Sequence, residues 1–180
     1  MADVFKVAKF FIQIANQKED EMTNLRLNKL LYFAQAWFLA RYDRPLFAND
    51  VVAWKLGPVV RTVYDQYRSY GENNIILEGN EGVELSDFTE EELNTLLDIT
   101  EEYGKYATSF LVDVTHKSGS PWSCTTSSEV IAPALMKEYY RKESSLESIE
   151  DILKGLPPPV EPSCEIDGIP VFPKALFDEE

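Results

Sequence analysis

The 180-residue chain is poor in the residues that most enzymes rely on: it has one histidine and two cysteines. A single histidine, His116, leaves few routes to acid–base or nucleophilic chemistry. Cys124 and Cys164 are too few for a disulfide framework. Together with one histidine they lack the close paired spacing of structural zinc. There is no Gly-x-Gly-x-x-Gly motif and no Gly-Lys-Ser/Thr phosphate loop. Apolar runs fall short of the roughly 18 residues that suggest a membrane-spanning helix. The opening Met1-Ala2-Asp3-Val4-Phe5-Lys6 lacks the basic region and apolar stretch of a secretory signal. These absences point to a soluble, cytoplasmic protein that is not an enzyme, with no cofactor and no metal. Acids are plentiful, so one catalytic alternative stays open: an unrecognised hydrolase, which a cleft with a strongly shifted carboxylate would reveal.

What is abundant is negative charge, and it is unevenly spread. The net charge is −14. Residues 1–70 carry ten Lys/Arg against seven Asp/Glu, whereas residues 71–180 carry seven against twenty-four. The stretch 71–104 holds eleven acids and no Lys or Arg. Such a field repels phosphate backbones and anionic lipid and draws in a basic partner. The basic residues Arg26, Lys29, Arg41, Arg44, Lys55, Arg61 and Arg68 are scattered rather than clustered, which argues against nucleic acid as the partner.

Aromatics make up 12% of the chain, enough to anchor a core. Helical spacing over 3–16, with Asp3 as cap, predicts a first helix. A second, from about Asn24 to Tyr42 with Thr23 as cap, is apolar over most of its circumference and belongs in the middle of the core. Val51–Trp54 reads as a short strand. Pro58 suits the first turn of a helix that Gly71 ends. Ile75–Leu77 and Val83–Leu85, separated by Glu78-Gly79-Asn80-Glu81-Gly82, read as a hairpin. Thr89 and Glu92 form a capping box, with Phe88 and Leu93 placed as its hydrophobic staple. Leu93, Leu96, Leu97, Thr100 and Tyr103 should be the buried face of the helix that follows. Further helices are expected over about 106–116 (Phe110, Leu111 and Val114 inward), 133–141 and 146–153, with a short strand at 129–131. Six of the ten prolines fall after Leu156. The expected architecture is mainly α (α+β): a compact helical domain, 1–155, with a small antiparallel sheet, then an extended Pro-rich acidic tail, 156–180.

Three blocks carry a resemblance. Leu25-Arg26-Leu27-Asn28-Lys29-Leu30-Leu31-Tyr32-Phe33-Ala34-Gln35-Ala36-Trp37 is similar to the L-x-L-x-K-L-L-Y-x-A-Q helix of Panacea-domain (SocA-like) proteins. Pro45-Leu46-Phe47 and then Ala53-Trp54-Lys55-Leu56-Gly57-Pro58-Val59 resemble that family's second block, with Leu56 where Tyr is usual. Thr115-His116-Lys117-Ser118-Gly119-Ser120-Pro121-Trp122 resembles the third. The three stand in the right order and cover about residues 5–142. The resemblance implies a bacterial or prophage antitoxin that neutralises a cognate protein toxin by direct contact, with no reaction of its own. The acidic stretch suggests that this toxin is basic. The alternatives are an adaptor that delivers a client to a protease through the 156–180 tail, and a phage regulator binding protein or DNA. A homo-oligomer is compatible with either.

The residues expected to meet a partner are Lys29, Tyr32, Gln35, Trp54, Lys55, Tyr64, His116 and Trp122. Lys29 and Gln35 lie off the main apolar stripe of their helix, a polar pair that, flanked by Tyr32, could point into a groove. Trp54, Lys55 and Gly57-Pro58 lie at a strand-to-helix corner, a place that loops use for recognition. The competing readings are structural. Trp54 and Trp122 would serve equally as core anchors, and His116 as a helix C-terminal residue bonding the last carbonyls beneath a stacked Trp122.

Overall fold

The computed structural model describes residues 1–79, 81–143, 164–166 and 169–171. The chain divides into two units, Met1–Ser145 and Leu146–Glu180. The first contains α1 (Val4–Lys18), α2 (Asn24–Tyr42), β1 (Val52–Trp54), β2 (Gly57–Val59), α3 (Arg61–Tyr67), α4 (Glu90–Glu102), α5 (Thr108–His116) and α6 (Pro133–Glu143), with 3-10 turns at Arg68–Tyr70 and Leu85–Asp87. In the second, β3 (Cys164–Ile166) and β4 (Ile169–Val171) pair antiparallel. The helix expected over 146–153 lies outside the described residues.

The helix ends follow local chemistry. The Asp3 carboxylate accepts from the Phe5 amide at 2.8 Å and starts α1. The Thr23 hydroxyl accepts from the Arg26 amide at 3.2 Å and starts α2. Both helices end in left-handed residues, Glu19 and Asp43. At α4 the capping box forms in both directions: Glu92 N–H donates to the Thr89 hydroxyl at 3.3 Å, and Thr89 N–H donates to the Glu92 carboxylate at 3.0 Å. Such a cap contributes on the order of 1 kcal/mol.

Helix α2 is the spine. Every helix of the first unit packs on it, as does β2. Of its nineteen residues only Leu25, Trp37, Arg41 and Tyr42 reach solvent appreciably. Leu27, Leu31, Phe33 and Phe38 are fully enclosed, each contributing roughly 1.5–3 kcal/mol of apolar burial. Phe33 stacks on Tyr103 at 4.1 Å, and the Tyr140 ring of α6 meets Trp37 edge-on at 5.2 Å.

Several expectations need correcting. Pro58 does not open a helix; it sits in β2, paired with Ala53, and α3 begins at Arg61 with Val60 as its cap. A proline fits a sheet edge as readily as a first helical turn, because neither position needs its missing N–H. The 75–77 and 83–85 runs do not form a hairpin. Side chains of α1 hold them instead: Asn16 bonds the Ile75 carbonyl and the Leu77 amide, and Gln13 accepts from the Val83 amide. On α4 the buried face is Glu92, Thr95, Leu96 and Ile99, with Leu97 exposed, because the capping-box carboxylate faces inward and turns the stripe with it. On α5, Leu111 and Thr115 are buried, while Phe110 and Val114 are only half-buried. The expected 129–131 strand reduces to a single antiparallel bridge, Val52 to Val130, on the outer side of β1.

Candidate functional site

The eight candidate residues separate into two groups. Lys29, Tyr32 and Gln35 are inside the domain, at 0%, 0% and 3% exposure. No partner can touch them in this conformation, so their surface role is replaced by a structural one. The Gln35 amide clamps the chain after α2: its oxygen accepts from the Leu46 and Phe47 amides at 2.9 and 3.2 Å, and its nitrogen donates to the Phe47 carbonyl at 3.0 Å. Tyr32 packs edge-on to Tyr140, and burial, offset in part by the neighbouring Tyr140 hydroxyl, pushes its phenol pKa up.

Lys29 joins all three sequence blocks. It projects from α2 to donate to the Pro58 carbonyl at 3.1 Å, under the β1–β2 turn and against α5. A Cβ on Gly57 would lie 2.7 Å from Lys29 Nζ and 2.9 Å from the Thr115 hydroxyl, so only glycine fits there. Gly57 is also left-handed, with φ +104°. Burial lowers the Lys29 pKa to about 7 from an ordinary 10.5. One residue earlier, the Asn28 carboxamide accepts from the Val60 amide at 2.9 Å. The side chains of α2 thus satisfy the backbone of the irregular segments around it, which would otherwise be buried without partners.

The second group, Trp54, Lys55, Tyr64, His116 and Trp122, gathers at one corner above this knot. The imidazole of His116 reaches its own helix at the Val112 carbonyl, 2.7 Å away through Nδ1, and the β1–β2 turn at the Lys55 carbonyl, 3.2 Å away through Nε2. The Trp122 ring lies 3.7 Å from His116, and its indole N–H donates to the Trp54 carbonyl at 2.9 Å. Trp54 meets Tyr64 edge-on at 4.9 Å. Trp54, Tyr64, His116 and Trp122 are half-buried and Lys55 is exposed. Between the two indoles runs a groove of about 160 Å³ lined by Ala53, Trp54, Lys55, Trp122, Ser123, Thr125 and Ser127. It is a rigid, partly open aromatic corner, the kind of surface that carries binding energy.

The acidic stretch proves partly self-compensated. Asp87 pairs with Lys6, Glu91 with Arg44 and Asp98 with Arg41. Glu72, Glu78, Glu81, Glu84, Glu90, Glu101 and Glu102 form no ion pair with described residues. Among the described residues no three His, Cys, Asp or Glu side chains converge as metal ligands, and no helix is long and apolar enough to cross a membrane.

Sequence reasoning missed Asn28 and Thr115, whose roles depend on contacts across the fold, and it placed Gly57 at the corner without its contact to Lys29. The one local signal was the Gly57-Pro58 pair, which reads as a turn.

Residues 27–123 match the family model described as antitoxin SocA-like, Panacea domain. The chain is 32% identical over 128 residues to the antitoxin SocA of Caulobacter vibrioides, covering 67% of this chain and 68% of that protein. No solved structure matches significantly. The matched span begins inside α2 and closes at the aromatic corner, taking in the whole Lys29 knot, and the chain belongs to the SocA-like antitoxin family of Panacea-domain proteins.

Proposed function

We propose that this protein is the antitoxin of a bacterial or prophage toxin–antitoxin pair and neutralises a protein toxin by stoichiometric binding. The observation that carries this reading is its family membership: the matched region includes the knot and the corner it supports. Binding would use the outer surface, with the half-buried indoles of Trp54 and Trp122 as anchors on a fixed base. The seven glutamates that form no ion pair among the described residues would steer a basic toxin into contact, acting mainly on the association rate.

The test is co-expression. The protein encoded beside this chain should arrest growth alone, and this chain should restore growth and co-purify with its neighbour at fixed stoichiometry. Inhibition of the purified toxin by the purified chain alone would identify occlusion; rescue that needs a host protease would identify delivery instead. Replacing Glu72, Glu78, Glu81 and Glu84 by Gln should slow association severalfold at low salt and flatten its salt dependence. An association rate indifferent to both changes would remove the steering step.

A further inference from the structure

The β1–β2 ribbon is held down by side chains as much as by its own pairing. Two paired strands of three residues are marginal alone. Four side chains fasten this backbone: Trp122 at the Trp54 carbonyl, 2.9 Å; His116 at the Lys55 carbonyl, 3.2 Å; Lys29 at the Pro58 carbonyl, 3.1 Å; and Asn28 at the Val60 amide, 2.9 Å. The tip stands in solvent, with Leu56 57% exposed. Lys29 is the unusual fastener. Its amine is fully buried, has one hydrogen-bond partner, and enters no ion pair among the described residues. An ammonium group brings three N–H donors and a charge; this site bonds one of the three and sets no carboxylate against the charge. The neighbouring polar groups are engaged elsewhere: the Thr115 hydroxyl donates to the Val112 carbonyl, and the Asn28 carboxamide serves Val60 and Asn24. The titratable groups on the surrounding elements are Lys55 on the turn, Asp113 and His116 on α5, Arg61 and Tyr64 on α3, and Arg26 on α2, and none bonds to Lys29 Nζ. The site therefore suits a neutral amine better than a charged one, in line with the lowering of the Lys29 pKa by burial to about 7.

We propose that the β1–β2 ribbon is a proton-gated clasp: it lies shut while Lys29 is a neutral amine beneath Pro58, and it lifts, in a rare local opening, by carrying Lys29 to water and taking up one proton at Nζ. Lifting would part Trp54 from Trp122 and Lys55 from His116, so the aromatic corner exists only in the shut form. The gate is independent of the antitoxin reading and acts on whatever meets the corner. Its direction with pH follows from linkage. Once open, the amine regains its ordinary 10.5, so between about 7 and 10.5 the open form holds one proton more than the shut form. Opening therefore becomes rarer as pH rises through that window, approaching about tenfold per unit. Below 7 both forms are protonated, and the dependence on pH ends.

Native-state hydrogen exchange on the full chain supplies the test, with rates corrected for the base catalysis of exchange itself. The Val60 amide, bonded to Asn28, reports the clasp, and the Leu31 amide in the middle of α2 reports the whole first unit. At pH 7, Val60 should be at least tenfold less protected than Leu31, and low urea should accelerate Leu31 while leaving Val60 unchanged. Between pH 7.5 and 9.5, protection at Val60 should climb toward about tenfold per unit. In Lys29→Met that climb should vanish. The wild-type measurements decide the matter even if the variant does not fold. Val60 exchanging together with Leu31, at the same protection and urea dependence, would mean that the ribbon opens only when the whole unit does, and would overturn the proposal. So would protection at Val60 that stays level with pH in the wild type. A climb retained in Lys29→Met would place the proton on another group, His116 being the nearest on the ribbon, and would equally remove Lys29 as the gate.

Discussion

The β1–β2 turn and the 72–85 segment pose the same physical problem and solve it differently. Both are irregular backbone laid against a helix, and in both, helix side chains supply the missing hydrogen bonds. Under the turn these come from Asn28 and Lys29 of α2, buried almost completely and closed over by Gly57. Beside 72–85 they come from Gln13 and Asn16 of α1, which are only half-buried, and Glu78 and Glu81 outside them are solvated. A bond sealed from water is costly to lose, because its orphaned partner cannot turn to solvent. The same bond near the surface is replaceable. The turn should therefore be fixed and intolerant, the acidic strip adjustable.

The sharpest way to break that contrast is Gly57→Ala. The new methyl would lie 2.7 Å from Lys29 Nζ on a residue at φ +104°, so strain and overpacking add. A loss of about 3 kcal/mol or more in urea unfolding is expected; tolerance of alanine would show that the knot is loose. Lys29→Met comes next. Burial depresses the folded-state pKa to about 7 while the unfolded lysine keeps its ordinary 10.5, so between these values the unfolded chain binds more protons. Wild-type stability should thus rise with pH across that window relative to Lys29→Met, by up to about 1.4 kcal/mol per pH unit. Denaturant midpoints of both proteins at several pH values between 7 and 10 measure it, and a constant difference would mean that Lys29 is not the titrating group. Asn16→Ala should cost less, about 1 kcal/mol, because water can take over at Ile75 and Leu77; amide exchange should accelerate there and stay unchanged at Val60. Acceleration at Val60 as well would join the two regions into one.

What could be read from the sequence was what is local. The limits of α2, its Thr23 cap and the Thr89–Glu92 box depend on residues within a turn of one another, and they stand as the sequence placed them. The aromatic corner was also visible in part, since Trp54, Lys55, His116 and Trp122 fall in blocks the family resemblance marks out. Lys29, Tyr32 and Gln35 misled because an amphipathic rule assigns polar positions to solvent, whereas α2 has no solvent side to give them. The partners of Lys29 and Gln35 are backbone atoms of Pro58 and of residues 46 and 47, which no periodicity reveals. The 75–85 runs misled for a related reason. Short apolar runs suit a strand, but backbone bonds that a paired strand would have made are taken by Asn16 and Gln13.

The central position of α2 also bears on how the domain comes apart. No layer of the first unit can detach while leaving the others whole, since each loses the same helix. The amides in the middle of α2, around Leu31 to Ala34, should exchange only when the entire first unit opens, so their exchange rates read its global stability directly. Substitutions on the outer helices would then register at Leu31 even when they lie on opposite faces of the first unit, and a partner bound at any one surface would slow exchange at this shared axis by the stabilisation its free concentration and affinity confer.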